Sequence, residues 1–261
     1  MASSPTPPIT IGVLALQGAF VEHISLLESA SATFTSPKFT FIQVRTPSQL
    51  SQCSALVLPG GESTSISLIA ERTGLLEPLR DFVKVQRRPV WGTCAGLILL
   101  AESANKSKAS GQELIGGLDV RVQRNYFGRQ VESFEADLSL PFLDEPFHSV
   151  FIRAPVVEKI LPPSSTTSAS SSTSADDGLV SAPPKQATKA EVEVLGRLPG
   201  RAKALASALG DREGTARELG EDGDIVAVRQ GNVFGTAFHP ELTGDARIHG
   251  WWLGEVVKAL A

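Results

Sequence analysis

Short, nearly unbroken apolar runs alternate with stretches in which apolar residues recur every three or four positions. Thr10 to Leu16 is almost wholly apolar, the pattern of a strand covered on both faces in a parallel sheet. Gln17-Gly18 interrupts it, and Phe20, Ile24 and Leu27 then mark one face of a helix over 20–29. Phe39 to Val44 and Ala55 to Leu58 repeat the strand pattern. A helix follows the second of these, opening near Ser63 or Thr64 as N-cap and running to about Thr73. Leu76 to Gln86 reads as another helix, with Pro78 in its first turn. Val90 to Gly92 is a further short strand, and a helix-forming run continues from Ala95 toward Glu102. Buried strands alternating with helices predict an α/β fold of three layers, a mostly parallel sheet flanked by helices.

Beyond Leu118 the pattern changes to alternation. Leu118 to Val122, Val131 to Ala136 and Val150 to Arg153 predict short strands added antiparallel to one side of the sheet. Leu161 to Pro184 is a Ser/Thr/Ala/Pro tract that cannot bury enough apolar surface to offset the entropy of ordering. After a short strand at Glu191 to Leu195, Gly196 to Asp224 is rich in Gly, Ala, Arg and Glu. The expectation is one domain over 1–261, with a flexible tail at 1–8 and a largely disordered insertion at 158–224. Ile225 to Arg229 and Val233 to Phe238 flank Gln230-Gly231-Asn232 as a hairpin. The last helix runs from Asp245, its expected cap, to Leu260.

Composition narrows the function classes. A net charge of −4 argues against nucleic acid or an anionic membrane as the main partner. Two cysteines, Cys53 and Cys94, form no disulfide framework and suit a reducing, cytoplasmic setting. The four histidines are not spaced with them as metal ligands, so neither a metal nor another cofactor is expected. Met1 to Pro8 lacks the basic start and apolar core of a signal peptide. No apolar run approaches the roughly 20 residues that span a bilayer.

Chemistry concentrates at three points. Gly92-Thr93-Cys94-Ala95-Gly96 places a cysteine between a strand and a helix, with small residues two positions to either side. That is the thiol form of a nucleophile elbow, whose strained turn needs the flanking backbones to pass closely. A helix N-terminus at the sulfur would lower its pKa from about 8.5. His239-Pro240-Glu241 is the natural partner. Proline favours extended backbone before it, and extended residues two apart share a side, so Glu241 would orient His239 and His239 would take the thiol proton. Pro59-Gly60-Gly61-Glu62-Ser63 also follows a strand and opens a helix. It lacks the Gly-Lys-Ser/Thr ending of a nucleotide loop. Its N–H groups, with that of Ala95, suit an oxyanion hole formed by Gly61 and Ala95. On these residues alone a thiol peptidase or other stand-alone thiol hydrolase stays open, as does a non-catalytic subunit that keeps the fold.

Together these motifs resemble the class I glutamine amidotransferases. Leu14 to Phe20 with Glu22-His23, Leu58 to Thr64, Gly92 to Ala101, Gln123 to Val131, Phe151 to Pro155 and Phe238 to Thr243 are similar, within that class, to the glutaminase subunits of pyridoxal 5′-phosphate synthases. The resemblance covers nearly all the chain outside the tail and the insertion. It departs at Tyr126, where the family usually carries serine, and in the length of the insertion. It implies a catalytic triad of Cys94, His239 and Glu241 acting on L-glutamine. It implies a glutamine site formed by Gly60, Gly61, Glu62, Ser63, Arg124, Ile152 and Arg153, and delivery of ammonia to a barrel-shaped synthase subunit for vitamin B6 synthesis. A glutaminase serving another acceptor, such as the imidazole-forming synthase of histidine biosynthesis, is the alternative.

Other residues read as structural. Cys53 should pack under a strand. His148 and His249 should be surface or helix-packing residues, and His23 a structural or subunit-contact residue. Arg121, Arg124 and Arg129 form a small basic cluster that without the resemblance is a solvated face. Trp251-Trp252 should cover the core edge, and Gln17, at a strand end, faces the site.

Overall fold

The computed structural model of the chain describes residues 7–106, 112–124, 133–162, 178–184, 190–198 and 224–261. Strands β1 (Ile9–Leu14), β2 (Phe39–Val44), β3 (Ala55–Leu58) and β4 (Val90–Thr93) alternate with helices α1 (Phe20–Ser31), α2 (Pro47–Leu50), α3 (Ser63–Arg72) and α4 (Leu76–Arg80). Helix α5 (Ala95–Leu100) leads into β5 (Ala101–Asn105). Then come β6 (Leu118–Gln123), β7 (Ser133–Leu138), β8 (Phe147–Ile152), β9 (Val156–Ile160), β10 (Leu179–Ser181), β11 (Glu193–Leu198), β12 (Asp224–Gln230) and β13 (Val233–Thr236). Helix α6 (Arg247–Leu260) closes the chain.

The main sheet runs β2-β1-β3-β4-β13-β12-β9-β6-β5-β10, with β11 also on β12. From β2 to β13 every pairing is parallel. Beyond β13 the sheet turns antiparallel through β12, β9 and β10, with β5 and β6 parallel to each other. The strands β3 and β4 are buried at every position, which is why their sequences read as continuous apolar runs. The chain leaves β1 toward β2 and later progresses from β3 toward β4. Right-handed crossovers in opposite directions put α1 on one face and α3 and α4 on the other. Helix α6 packs with α1, and α5 with α3. The expected three-layer α/β architecture, with parallel strands at its centre, is thereby present. Among the described residues no helix is long and apolar enough to cross a membrane.

Several elements differ from the sequence expectation. The run after Cys94 stays helical for only six residues, and Ala101 turns extended to start β5, which pairs with β6. Pairing decides there, because Leu, Ala and Ser carry no strong local preference against it. Only β6 of the three expected additions joins the main sheet. The β7 and β8 strands form a separate two-stranded ribbon, and Arg153 lies just past it in left-handed backbone at φ 44°. The helix expected over 76–86 is α-helical only to Arg80 and continues as a π-turn over Asp81–Val85. The N-cap of α3 is Glu62, whose carboxylate accepts from Thr64 and Ser65 N–H at 3.0 and 2.7 Å. Its side chain, rather than that of Ser63 or Thr64, takes up the first free N–H groups of the helix. Ala246 caps α6, and Asp245, one place earlier, accepts from Arg247 N–H. Residues 1–6 of the tail and most of the 158–224 stretch lie outside the described residues. The described parts of that stretch include β10 and β11.

Candidate active site

The carboxyl ends of neighbouring parallel strands gather four loops on one edge of the sheet: Gln17-Gly18 after β1, Gly60-Gly61 after β3, Cys94 after β4 and His239 after β13. Register puts Leu58 beside Gly92 and Thr93 beside Thr236, so segments distant in sequence begin their turns at the same level. The sheet edge outside such carboxyl ends is where α/β folds present ligands.

Cys94 stands at the apex of its turn with φ 48° and ψ −100°, a conformation that non-glycine residues reach only under strain. Its N–H donates to Thr236 O at 2.8 Å, which pins the apex to β13. A Cβ at Gly92 would strike the backbone of Gly96, and one at Gly96 would strike the Leu58 carbonyl. The two glycines therefore let strand, turn and helix pass at contact distance, as the spacing predicted. Ala95 opens α5, so its N–H has no acceptor within that helix. The Cys94 thiol lies 3.9 Å from Ile152 O at the end of β8.

His239 comes to the sulfur from the end of β13. Its N–H donates to Val150 O at 2.8 Å, and its Nδ1–H donates to Glu241 Oε1 at 2.7 Å. The segment is not extended as expected. His239 has φ −106° and ψ 82°, and Pro240–Leu242 is a single 3-10 turn. That turn, opened by Pro240, swings Glu241 under the imidazole and buries its carboxylate completely. Burial opposes charge on His239, but hydrogen bonds to Cys94 and Glu241, reinforced by their charges, outweigh it and raise its pKa to about 10.

The Gly60-Gly61 loop closes over this ring. A Cβ at Gly60 would meet Cε1 and Nδ1 of His239. Gln17 Oε1 accepts from Glu62 N–H at 2.7 Å, tying the loop to β1. The Glu62 carboxylate is partly buried, yet its bonds to Ser65 and Thr64 hold its pKa below the usual range. Beyond the loop, Ser63 and Thr64 hydroxyls donate to Gln112 Oε1 at 3.2 Å, and Arg124 donates to the same oxygen through Nη1. Arg124 is buried, which lowers its pKa to about 10 against the raising effect of Glu62. It is no solvated face. Arg129 and Tyr126 lie outside the described residues.

The structure thus brings Cys94, Ala95, Gly60, Gly61, His239, Glu241, Ile152 and Arg153 to one edge, with Ser63, Thr64 and Arg124 joined through Gln112 and Glu62 held by Gln17. Sequence reasoning missed Gln112, which follows no motif, and the contacts of His23 with His249 and Glu241. Both histidines had a signal: each shares the apolar face of its helix, His23 with Phe20 and Leu27 and His249 with Trp252 and Leu253. Cys53 is buried away from the site, and burial raises its thiol pKa to about 11. His148 is half exposed beside Glu135 and Asp137, a surface residue as expected.

The chain is similar to named relatives over most of its length. A subunit of Herpetosiphon aurantiacus named pyridoxal 5′-phosphate synthase subunit PdxT is 40% identical, covering 94% of this chain and 100% of its own. A protein of Arabidopsis thaliana named probable pyridoxal 5′-phosphate synthase subunit PDX2 is 41% identical over 94% of this chain and 85% of its own. A crystal structure of a glutamine amidotransferase superposes with a TM-score of 0.65 at 34% identity, covering 95% of this chain and 98% of that one. The model of the SNO glutamine amidotransferase family matches residues 13–190 and 197–258, a span that includes the elbow, the glycine loop and the His-Pro-Glu turn, and the chain belongs to that family.

Proposed function

We propose that the chain is a glutaminase subunit that hydrolyses L-glutamine to glutamate and ammonia and hands the ammonia to a pyridoxal 5′-phosphate synthase subunit. The observation that carries this reading is the Cys94 elbow facing a buried His239–Glu241 pair, in a chain so similar to proteins bearing that subunit name. The Cys94 sulfur attacks the side-chain amide carbon, and the oxygen takes up negative charge opposite the Gly61 and Ala95 N–H groups. His239 passes its proton to the amide nitrogen, the C–N bond breaks and ammonia leaves. Water, giving a proton to His239, then splits the thioester and frees glutamate and the thiol. Glu241 orients the imidazole throughout. The backbone of Gly60, Gly61, Glu62 and Ser63, with Arg124, Ile152 and Arg153, forms the glutamine site, and buried Arg124 supplies a positive charge for the substrate carboxylate. The cysteines are free, in keeping with a cytoplasmic location.

Glutamate release by the purified chain, alone and with a pyridoxal 5′-phosphate synthase barrel subunit, tests the reading. Turnover that appears or rises with the synthase subunit is the expected result. Turnover indifferent to it removes the proposed partner, and cleavage of peptides without glutamine hydrolysis replaces the glutaminase by a thiol peptidase.

The raised pKa of His239 adds a second expectation. The imidazolium of the free protein persists until the pH approaches about 10, so kcat/KM should hold through neutral pH and fall on an alkaline limb there. The stabilisation from the Glu241 contact is fully present below the ordinary histidine pKa of about 6.5 and is lost as pH rises through the same limb. Glu241→Gln removes one raising partner and should move the limb to lower pH; an unmoved limb would detach it from His239.

A further inference from the structure

Two buried histidines lie directly behind the His239–Glu241 pair. We propose that His23, held by His249, is a positioning residue for the reaction: its Nε2–H faces the second carboxylate oxygen of Glu241 and fixes the carboxylate that orients His239. The inference rests on the reading of Glu241 as the orienting group.

Glu241 uses Oε1 for His239. Its Oε2 is fully buried and has no well-aligned hydrogen bond among the described residues. His23 Nε2 stands 3.3 Å from that oxygen and 3.2 Å from Thr93 Oγ1, while His23 Nδ1 stands 3.0 Å from His249 Nε2. The contributing segments are α1, the residue before Cys94, and α6. Trp91 packs edge-on against both imidazoles and donates its own N–H to Thr236, so the rings are held from the side as well.

Both histidines are neutral. Burial, followed by the neighbouring His249 and His239, holds the His23 pKa well below its ordinary value. Burial pulls that of His249 to about 3 against the weaker raising effect of Asp245. A neutral imidazole carries one N–H, which leaves two arrangements of the chain. If His23 carried its proton on Nδ1, its Nε2 lone pair would face the Glu241 oxygen, and His249 would keep its proton on Nδ1, which has no partner among the described residues. A buried donor would be orphaned and two lone pairs opposed. With the protons on Nε2 of both rings, His249 donates to His23, and His23 donates toward Thr93 and Glu241 from one shared N–H. Only an acceptor nitrogen of His249 is then left over. The second arrangement avoids the repulsion and the orphaned donor, and it runs His249 → His23 → Glu241 in a single direction.

The direct test is nitrogen-15 NMR of the full chain labelled at histidine, where the four rings are assigned by single substitutions. His23 and His249 should each show a protonated Nε2 and an unprotonated Nδ1 across neutral pH. A proton on His23 Nδ1, or a charged His23 ring, overturns the inference without any assay of activity. Kinetics supply the second arm, as glutamate release with the synthase subunit present. His23→Leu should lower kcat on the order of tenfold to a hundredfold, leave the KM for glutamine unchanged and shift the alkaline limb to lower pH. His23→Gln, whose amide nitrogen can take the place of Nε2, should restore most of the rate. A loss that follows only the folded fraction, with the limb unmoved and no rescue by glutamine, marks His23 as mere packing. A wild-type chain without glutaminase activity refutes the functional reading instead, whereas an active wild type indifferent to His23→Leu refutes this inference alone.

Discussion

Cys94→Ala should abolish glutamate release, lowering turnover by about 10⁴-fold or more, while the protein still folds. The sulfur is the nucleophile that the elbow presents to His239, and the covalent step runs through it. Folding should survive because alanine keeps the Cβ that the strained apex already accommodates. The Cys94 N–H bond to Thr236 O, at 2.8 Å, also belongs to the backbone. The measurement pairs glutamate release in the presence of the synthase subunit with thermal unfolding of the variant. A folded Cys94→Ala protein retaining a tenth of the wild-type rate would remove Cys94 from the chemistry.

Gly60→Ala should cost about a hundredfold in kcat although it removes no proposed proton donor or acceptor. The new methyl group would occupy the space of the His239 ring, 2.8 Å from Nδ1. The imidazole cannot move aside at low cost, because its Nδ1–H is bound to the buried Glu241 and its backbone N–H to Val150. Either the ring leaves the carboxylate or the glycine loop retreats, and both displace the groups around the sulfur. The overpacking should also lower stability by about 1–3 kcal/mol, readable as a reduced unfolding midpoint. An unchanged kcat would mean that the ring and loop separate freely, contrary to the packing around them.

The local motifs were legible because each is a short-range physical requirement. The glycines beside Cys94 are demanded by a turn that passes Gly92 against Gly96 and Gly96 against Leu58, so the spacing itself carries the geometry. The buried parallel strands β1, β3 and β4 announce themselves as apolar runs for the same reason: both faces are covered. Local reasoning was weaker wherever a neighbour in space decided. It expected Ser63 or Thr64 to cap α3, but Glu62 reaches the N–H groups. It expected His239 and Glu241 to align along an extended chain, whereas the 3-10 turn after Pro240 produces their contact. The prediction of a pair was right and its stated cause was not.

By itself, then, the sequence determined the α/β alternation, the elbow, the glycine loop and the identity of the histidine and glutamate, since periodicity, turn chemistry and close backbone approach are written within a few residues. Only the tertiary structure decided that β13, distant along the chain, returns parallel to β4 and sets His239 beside Cys94. It alone placed Gln17 on the glycine loop, Gln112 between Ser63 and Arg124, and His23 with His249 behind Glu241. Those arrangements depend on strand order and on which helix faces meet, and contacts between segments so far apart leave no period for a single sequence to display.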